Sequence, residues 1–576
     1  MTSPLISLKQ DKVRVQCAEV EEFVPRNTPL ELFLKHHFPD RFDSIIGAVV
    51  NGLLTPRNAL LSHTSTIVPL EKSSNHGLRI YRSTLMFVLA IASHSLYPNK
   101  RLVVSHSVAD ALYYYYDDLT VTQEVVSQLF QLMRKIIEAN VVISQDYCSS
   151  GTVLDLLKAT QKEQIVALLE QLNTPYYRIN RLETSKAVEK VDLSYVDLVY
   201  FDTCLAPSTG FCSLFDLSQY NDGLLLKFPD SSYTEVVPFF DNKQLFDIYQ
   251  EYNQWGKILH VDSVSSLNQK ILKGPKVVKE FVQICEHLHD IKISQISSKI
   301  LERFGHSSQG LVLIAGPSSS GKTTFSKRLE LFLRTMAMDC LTFSLDSFYV
   351  PRIETPRDEH GNYDFESVFA LDLPLLKKTI QSLLDGETTV VPGFDFKSGC
   401  RIESSRIVTL GPGSVLILEG LHALNPILFE GLDLSSKTYK IFISPLCQLN
   451  VDDQNRISTS DTRLCRRMIR DFLFRGNSCE RTFTMWPFVT RGEHKHIYVH
   501  QNQADVFFNS ALDYEFSVLK TFVLPLLHSL PPSSQWYTEA RRLISFLSVF
   551  FSIDTEYIPK TSILREFIGN SWFDYE

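Results

Sequence analysis

Residues 316–324 read Gly-Pro-Ser-Ser-Ser-Gly-Lys-Thr-Thr, which puts Gly316, Gly321, Lys322 and Thr323 at the spacing G-x-x-x-x-G-K-[ST]. Glycine lets a backbone curl until successive N–H groups point inward, and such a ring of donors holds phosphate oxygens. A helix that starts on the loop adds its positive end. Lys322 would reach the β- and γ-phosphates of a nucleotide, and the Thr323 hydroxyl would take a Mg2+ position. Ser318, Ser319, Ser320 and Thr324 complete the expected ATP-binding loop. A flexible linker also uses glycine and serine, but no helix packing face would follow it.

Two acids fall where phosphoryl transfer needs them. Asp346 follows the apolar run "LTFSL" and Glu419 follows "SVLIL". In open α/β sheets ligands bind beyond the carboxyl ends of the strands, so both acids should face the loop. One carboxylate can accept a proton from an attacking hydroxyl, and the other can hold Mg2+. A helix N-cap is the alternative for either acid taken alone, and their joint placement with Lys322 favours the functional reading. Further on, "DTRLCRRMIRDFLFRG" sets Arg463, Arg467 and Arg470 at i, i+4 and i+7, one face of a helix, with Arg475 just after. Asp461 and Asp471 are its only acids, too few to pair every arginine. Unpaired arginines suit a lid that closes on phosphates.

The elements that must position these groups are legible in the apolar pattern. "LVLIA" before the loop is a continuous apolar run, as a buried parallel strand needs. After the loop, Phe325, Leu329, Phe332, Leu333 and Met336 repeat on one helical face. Strands ending near Asp346, Glu419 and Ser444 alternate with helices, which predicts a parallel α/β sheet.

The chain has 576 residues, a length for about three or four domains. A net charge of -8 argues against a general nucleic-acid coat or a binder of anionic membranes. The first residues lack the apolar core of a signal peptide, and the best apolar run, Leu85 to Ala92, is far short of the ~18 residues of a spanning helix. The ten cysteines include no Cys-x-x-Cys pair, so reduced thiols in a cytoplasmic protein are expected.

The motifs "GPSSSGKTT", "LDSFY", "YDFES", "VPGFDF", "ILEG" and "DTRLCRRMIRD" come in the order of the uridine kinase and phosphoribulokinase group of P-loop kinases, which residues 310 to 529 resemble. The resemblance implies ATP and Mg2+ as cofactors. It implies Asp346 as general base near the metal, Glu419 as the Walker B acid, and Arg467, Arg470 and Arg475 as lid arginines. It also implies Asp364 on sugar hydroxyls, Phe394 against a base, and Arg401 and Arg467 at the substrate. Thr323, Asp346 and Glu419 would hold the metal, and Lys322, Asp346, Arg467 and Arg470 would serve catalysis. The pyrimidine readers are missing, because Gly399 stands for the histidine, Asn477 for the second lid arginine and Met485 for the glutamine. The expected acceptor is therefore a small hydroxyl compound, nucleosides included, with uridine not necessarily the best one. A sugar phosphate or a pantothenate-like alcohol stays open.

The N-terminal half resembles parts of threonyl-tRNA synthetase. Residues 1–72 resemble the TGS β-grasp domain through "VVNGLLTPRNALLSHTSTIVPL", and residues 73–270 resemble the α+β editing-like (SAD) domain through "LYPNKRLVVSHSVADALYYYYDD". The editing pairs fall on Ser83 and Phe87 and on Cys204 and Ser208, so no zinc is expected. The run Tyr113 to Tyr116 reads as core or edge strand rather than a base-stacking platform. A helical linker over 271–309, the kinase domain over 310–530 and a helical extension over 531–576 complete the expected multidomain plan. RNA is a candidate partner of the N-terminal half, and the rival reading is an RNA- or nucleotide-sensing regulator. The oligomeric state is open.

Overall fold

The computed structural model describes residues 12–575 apart from 19, 109, 161, 184–187, 200–202, 231, 240, 306–308, 359–360, 396–397 and 435–436. The end of the expected helical linker over 271–309 lies partly outside the described residues. Residues 12–71 build a five-stranded sheet in the order Val20–Pro25, Lys12–Cys17, Ser65–Glu71, Ile45–Val50, Leu53–Pro56. Lys12–Cys17 alternates exposed and buried side chains, the period of a half-buried strand. Its buried residues meet Leu30, Phe33 and Leu34 of the helix Leu30–His37. The "NG" pair is the hairpin turn: Asn51 and Gly52 both have positive φ, 51° and 79°.

The middle of the chain packs the helix Asn75–Leu96 on an antiparallel sheet ordered Asp216–Tyr220, Gly223–Lys227, Ala111–Tyr116, Leu102–Val108. The tyrosine run lies inside this sheet. Tyr113, Tyr114 and Tyr116 are buried and not free to stack on bases. A second sheet, Ile143–Ser149, Tyr176–Leu182 and Val196–Leu198, carries the helices Ser150–Ala159 and Glu163–Leu172.

Helix α1 (Pro275–Phe304) is the bridge between two cores. Val278, Phe281 and Val282 enter one, and Ile293, Ile296 and Ile300 enter the other beneath the C-terminal sheet. That sheet is parallel throughout, in the order β2 (Cys340–Ser344), β3 (Val415–Glu419), β1 (Gly310–Ala315), β4 (Thr438–Ser444), β5 (Val506–Asn509). The inner strands β1 and β3 are buried along their whole length, whereas the edge strand β2 is mostly half-buried. Helix α2 (Lys322–Thr335) follows β1 through the loop and seats Phe325, Leu329 and Leu333 on the sheet. Each such side chain contributes roughly 1.5–3 kcal/mol, enough to pin the helix start and the loop above it.

Helices α3 (Thr459–Arg475) and α4 (Cys479–His496) lie between β4 and β5 in the chain, and α5 (Glu515–His528), α6 (Tyr537–Ser548) and α7 (Arg565–Ile568) follow. The segment leading into α3 is tied to the middle sheet. Asn450 and Gln454 donate to the carbonyls of Val104 and Leu102, and Arg101 pairs with Asp453 at 2.6 Å. The last residues are not an appendage. Ile563 and Phe567 are fully buried in the core under the sheet, and Leu564 and Ile568 lie in the neighbouring core. No helix among the described residues is long and apolar enough to cross a membrane.

Candidate active site

The loop between β1 and α2 closes as its glycines require. A Cβ on Gly316 would lie 2.2 Å from the Ile443 carbonyl oxygen, and Gly321 has φ +88°. Ser319 also takes a left-handed φ, 59°. Lys322 sits at the start of α2 with its Nζ on the carbonyls of Gly316 and Pro317, at 3.0 and 3.2 Å. The Thr323 hydroxyl donates to Glu419 Oε1 at 3.1 Å. Glu419 ends β3 and Asp346 follows β2, so the parallel register brings both acids to the loop's side of the sheet.

Burial lowers the Lys322 pKa, against the pull of Glu419 and then Asp346. Burial raises both acids in turn, Asp346 above its usual range and Glu419 to about 7, with Lys322 opposing each. Two desolvated carboxyls beside a threonine hydroxyl fit a hard divalent cation, which takes oxygen ligands and leaves positions for water and phosphate. The pH dependence follows. Below pH 7 Glu419 keeps its proton in the free protein, and that proton must leave before a cation is held. Mg2+ affinity measured calorimetrically should therefore rise by up to about tenfold per unit toward pH 7 and flatten above it. Without the cation the sign reverses. A raised carboxyl holds its proton more tightly when folded, so its contribution falls as pH climbs from its ordinary 4.5 through 7. An Mg2+ affinity flat between pH 6 and 8 would contradict the assignment.

The arginine face of α3 does meet the loop. Arg463 Nε donates to the Ser318 carbonyl at 2.9 Å, Arg467 Nη1 to Ser318 Oγ at 2.9 Å, and Arg470 Nη2 to Ser319 Oγ at 3.2 Å. The expectation that these arginines lack partners is corrected. Arg463 pairs with Glu493 of α4, Arg470 with Glu566 of α7 at 3.3 Å, and Arg467 and Arg475 share Asp471 at 3.3 and 3.1 Å. Buried Arg466 is held by Glu515 of α5 at 2.8 Å. Three of these acids belong to other helices, so counting acids within α3 could not find them.

The same acids also reach the loop backbone. Glu493 accepts the Ser318 N–H at 2.7 Å. Glu566 accepts the Thr324 N–H at 3.3 Å and its hydroxyl at 2.9 Å, and Tyr575 OH lies 2.9 Å from the same hydroxyl. Phosphate-type donors of the loop and its helix are thus held by carboxylates of the protein itself.

On the substrate side the named residues are spread around a rim. Asp364 stands 3.6 Å from His496 Nε2 at the end of α4. Phe394 lies in the hairpin Thr389–Asp395/Cys400–Val408 with its ring 5.8 Å from Tyr349. Arg401, opposite Phe394 in that register, is held by Asp372 at 2.8 Å. Gly399 has φ +70° and Arg352 packed where a Cβ would stand, so the turn disfavours a histidine there. Glu366 lies inside "YDFES" without a role assigned to it there, and His422 lies in no quoted motif. Burial and then Glu493 push the Glu366 carboxyl up to about 7, with Asp346 adding to the rise, while Arg467 and Lys322 oppose it. That neighbourhood places Glu366 between the loop and the rim.

In the middle of the chain Cys204 is buried, His94 pairs with Asp192 at 3.3 Å, and His106 stacks on Tyr249. Among the described residues no group of three or more His, Cys, Asp or Glu is placed to share a metal ion.

Comparisons with known proteins fall on the same region. The model of the phosphoribulokinase/uridine kinase family matches residues 311–516. Uridine-cytidine kinase B of Dictyostelium discoideum is 33% identical over 181 residues, covering 30% of this chain and 64% of its own. The uridine kinase of Ligilactobacillus salivarius is 32% identical over 171 residues, covering 30% of this chain and 70% of its own. That of Brevibacillus brevis is 30% identical over 185 residues, 32% of this chain and 76% of its own.

Proposed function

Since this chain belongs, through residues 311–516, to the phosphoribulokinase/uridine kinase family, we propose that its C-terminal half transfers the terminal phosphoryl group of ATP to a hydroxyl of a small molecule. The observation that supports this best is the meeting of Lys322, Thr323, Asp346 and Glu419 under the arginine face of α3. In this reading Gly316 to Thr324 cradle the phosphates, with Lys322 on the β and γ groups. Asp346 orients the acceptor hydroxyl and takes its proton as the new P–O bond forms and the bond to the ADP leaving group breaks. Thr323, Asp346 and Glu419 would hold Mg2+, which supplies charge neutralisation between the phosphates. Arg467, Arg470 and Arg475 exchange their carboxylate partners for phosphate oxygens and exclude water. Asp364, Phe394 and Arg401 frame the acceptor.

The domain plan remains part of the proposal: a β-grasp unit over 1–72, an editing-like unit over 73–270, a bridge over 271–309, the kinase over 310–530 and the extension over 531–576. One observation favours the rival sensor reading, namely that loop donors are already held by Glu493 and Glu566. Acceptor-dependent ADP release from ATP and Mg2+ separates the two. A kinase releases ADP only when a hydroxyl compound is added. A sensor binds ATP, or RNA through its N-terminal half, and releases none with any acceptor.

A further inference from the structure

Outside the group Lys322, Thr323, Asp346 and Glu419, one cluster of buried polar atoms has no work inside the protein. His422 lies in the turn after β3 and is 2% exposed, and neither of its ring nitrogens has a hydrogen-bond partner. The Glu366 main chain lies beside the ring without the geometry of a hydrogen bond. Glu366 Oε2 is buried and unpartnered too, and buried His496 Nε2 has only the carboxylate of Asp364 nearby. The rings of His422 and His496 are 6.2 Å apart, and Asp364 stands 3.6 Å from His496. Three separate segments thus bring these side chains together, and the electrostatic reach of Glu366 to Lys322 and Asp346 puts them beside the transfer site. An orphaned buried polar group is costly, and three such atoms in one place point to a ligand that satisfies them.

The charges say which ligand. Asp346, Asp364 and Glu366 give this side three carboxyl groups. The cations that act on Glu366 are engaged elsewhere: Arg467 with Ser318 and Asp471, Lys322 with the loop carbonyls, and Arg463 with Glu493. Burial keeps the imidazole of His422 neutral, its pKa down at about 3, so it offers one donor and one acceptor. A phosphate or carboxylate on the acceptor would meet like charge here. A molecule with several hydroxyls would donate to Glu366 and Asp364 and exchange hydrogen bonds with both histidines.

We propose that His422, Glu366, His496 and Asp364 form the acceptor subsite of this chain, and that it takes a neutral polyhydroxylated compound rather than a phosphorylated or carboxylated one. This rests on the kinase reading. The test is an ADP-release panel with free sugars and polyols, the same sugars bearing a phosphate, hydroxy acids, and nucleosides. Neutral acceptors should exceed their phosphorylated counterparts by at least about 100-fold in kcat/KM. Glu366→Gln should raise the KM of the best neutral acceptor about 10- to 100-fold and leave the KM for ATP within twofold. His496→Asn, at the partly exposed rim, should move the same constant in the same direction and covers the case in which the first variant fails to fold. Preference for sugar phosphates or hydroxy acids, or an acceptor KM unmoved in a folded variant, overturns the subsite and leaves the kinase standing. ATP binding with no ADP release from any acceptor overturns the kinase reading, and this subsite with it.

Discussion

Asp346→Asn is expected to lower acceptor-dependent phosphoryl transfer about 1,000-fold while ATP still binds. The substitution keeps the shape of the side chain and removes its ability to take a proton, a contribution of about 10²–10⁴ in rate. ATP should still bind, because the loop and Lys322 rather than Asp346 would cradle its phosphates. The pair of measurements is kcat from ADP release and Kd from calorimetry with a non-transferable ATP analogue. A variant that keeps a tenth or more of its kcat would show that another group takes the proton.

Glu566→Gln is expected to act in the other direction and tighten ATP binding about tenfold. The Glu566 carboxylate holds the Thr324 N–H and hydroxyl at the start of α2 and pairs with Arg470. These are the groups a nucleotide phosphate would need, so ATP must first displace the carboxylate. A charge-assisted hydrogen bond contributes about 1.5–3 kcal/mol, and losing it from the free state favours the nucleotide by the corresponding factor. The neutral amide keeps the shape and some hydrogen bonding, so the fold of the last segment should persist. Tyr575→Phe removes one hydroxyl from the same place and should have a smaller effect of the same sign. If Glu566→Gln weakens ATP binding instead, the segment is a working wall of the nucleotide site and not its competitor.

The two variants differ in how far their sites could be seen beforehand. Lys322, Thr323, Asp346 and Glu419 were all legible because each is tied to a local signal: a short glycine spacing, or the end of an apolar run that had to be a strand. The arginine face of α3 was legible for the same reason, since helical spacing alone puts Arg463, Arg467 and Arg470 on one side. Its electrostatic state was not legible. The partners Glu493 and Glu566 come from other elements, and no window around α3 contains them. The hairpin turn at Asn51-Gly52 was visible in two residues, whereas the role of the last segment as a lining of the loop was not visible in any.

Backbone conformation and side-chain periodicity are decided by neighbours within a few positions. For that reason the order of residues was enough to establish a glycine-bracketed loop between a buried strand and an amphipathic helix, with two acids at strand ends. Which carboxylates fill that loop was settled by packing. Glu493 meets Ser318 across 175 positions and Glu566 meets Thr324 across 242. The orphaned nitrogens of His422 likewise exist only because three distant segments close around them. Such contacts depend on how the cores under α1, α3 and α7 pack, and that is a property of the whole fold rather than of any stretch of chain.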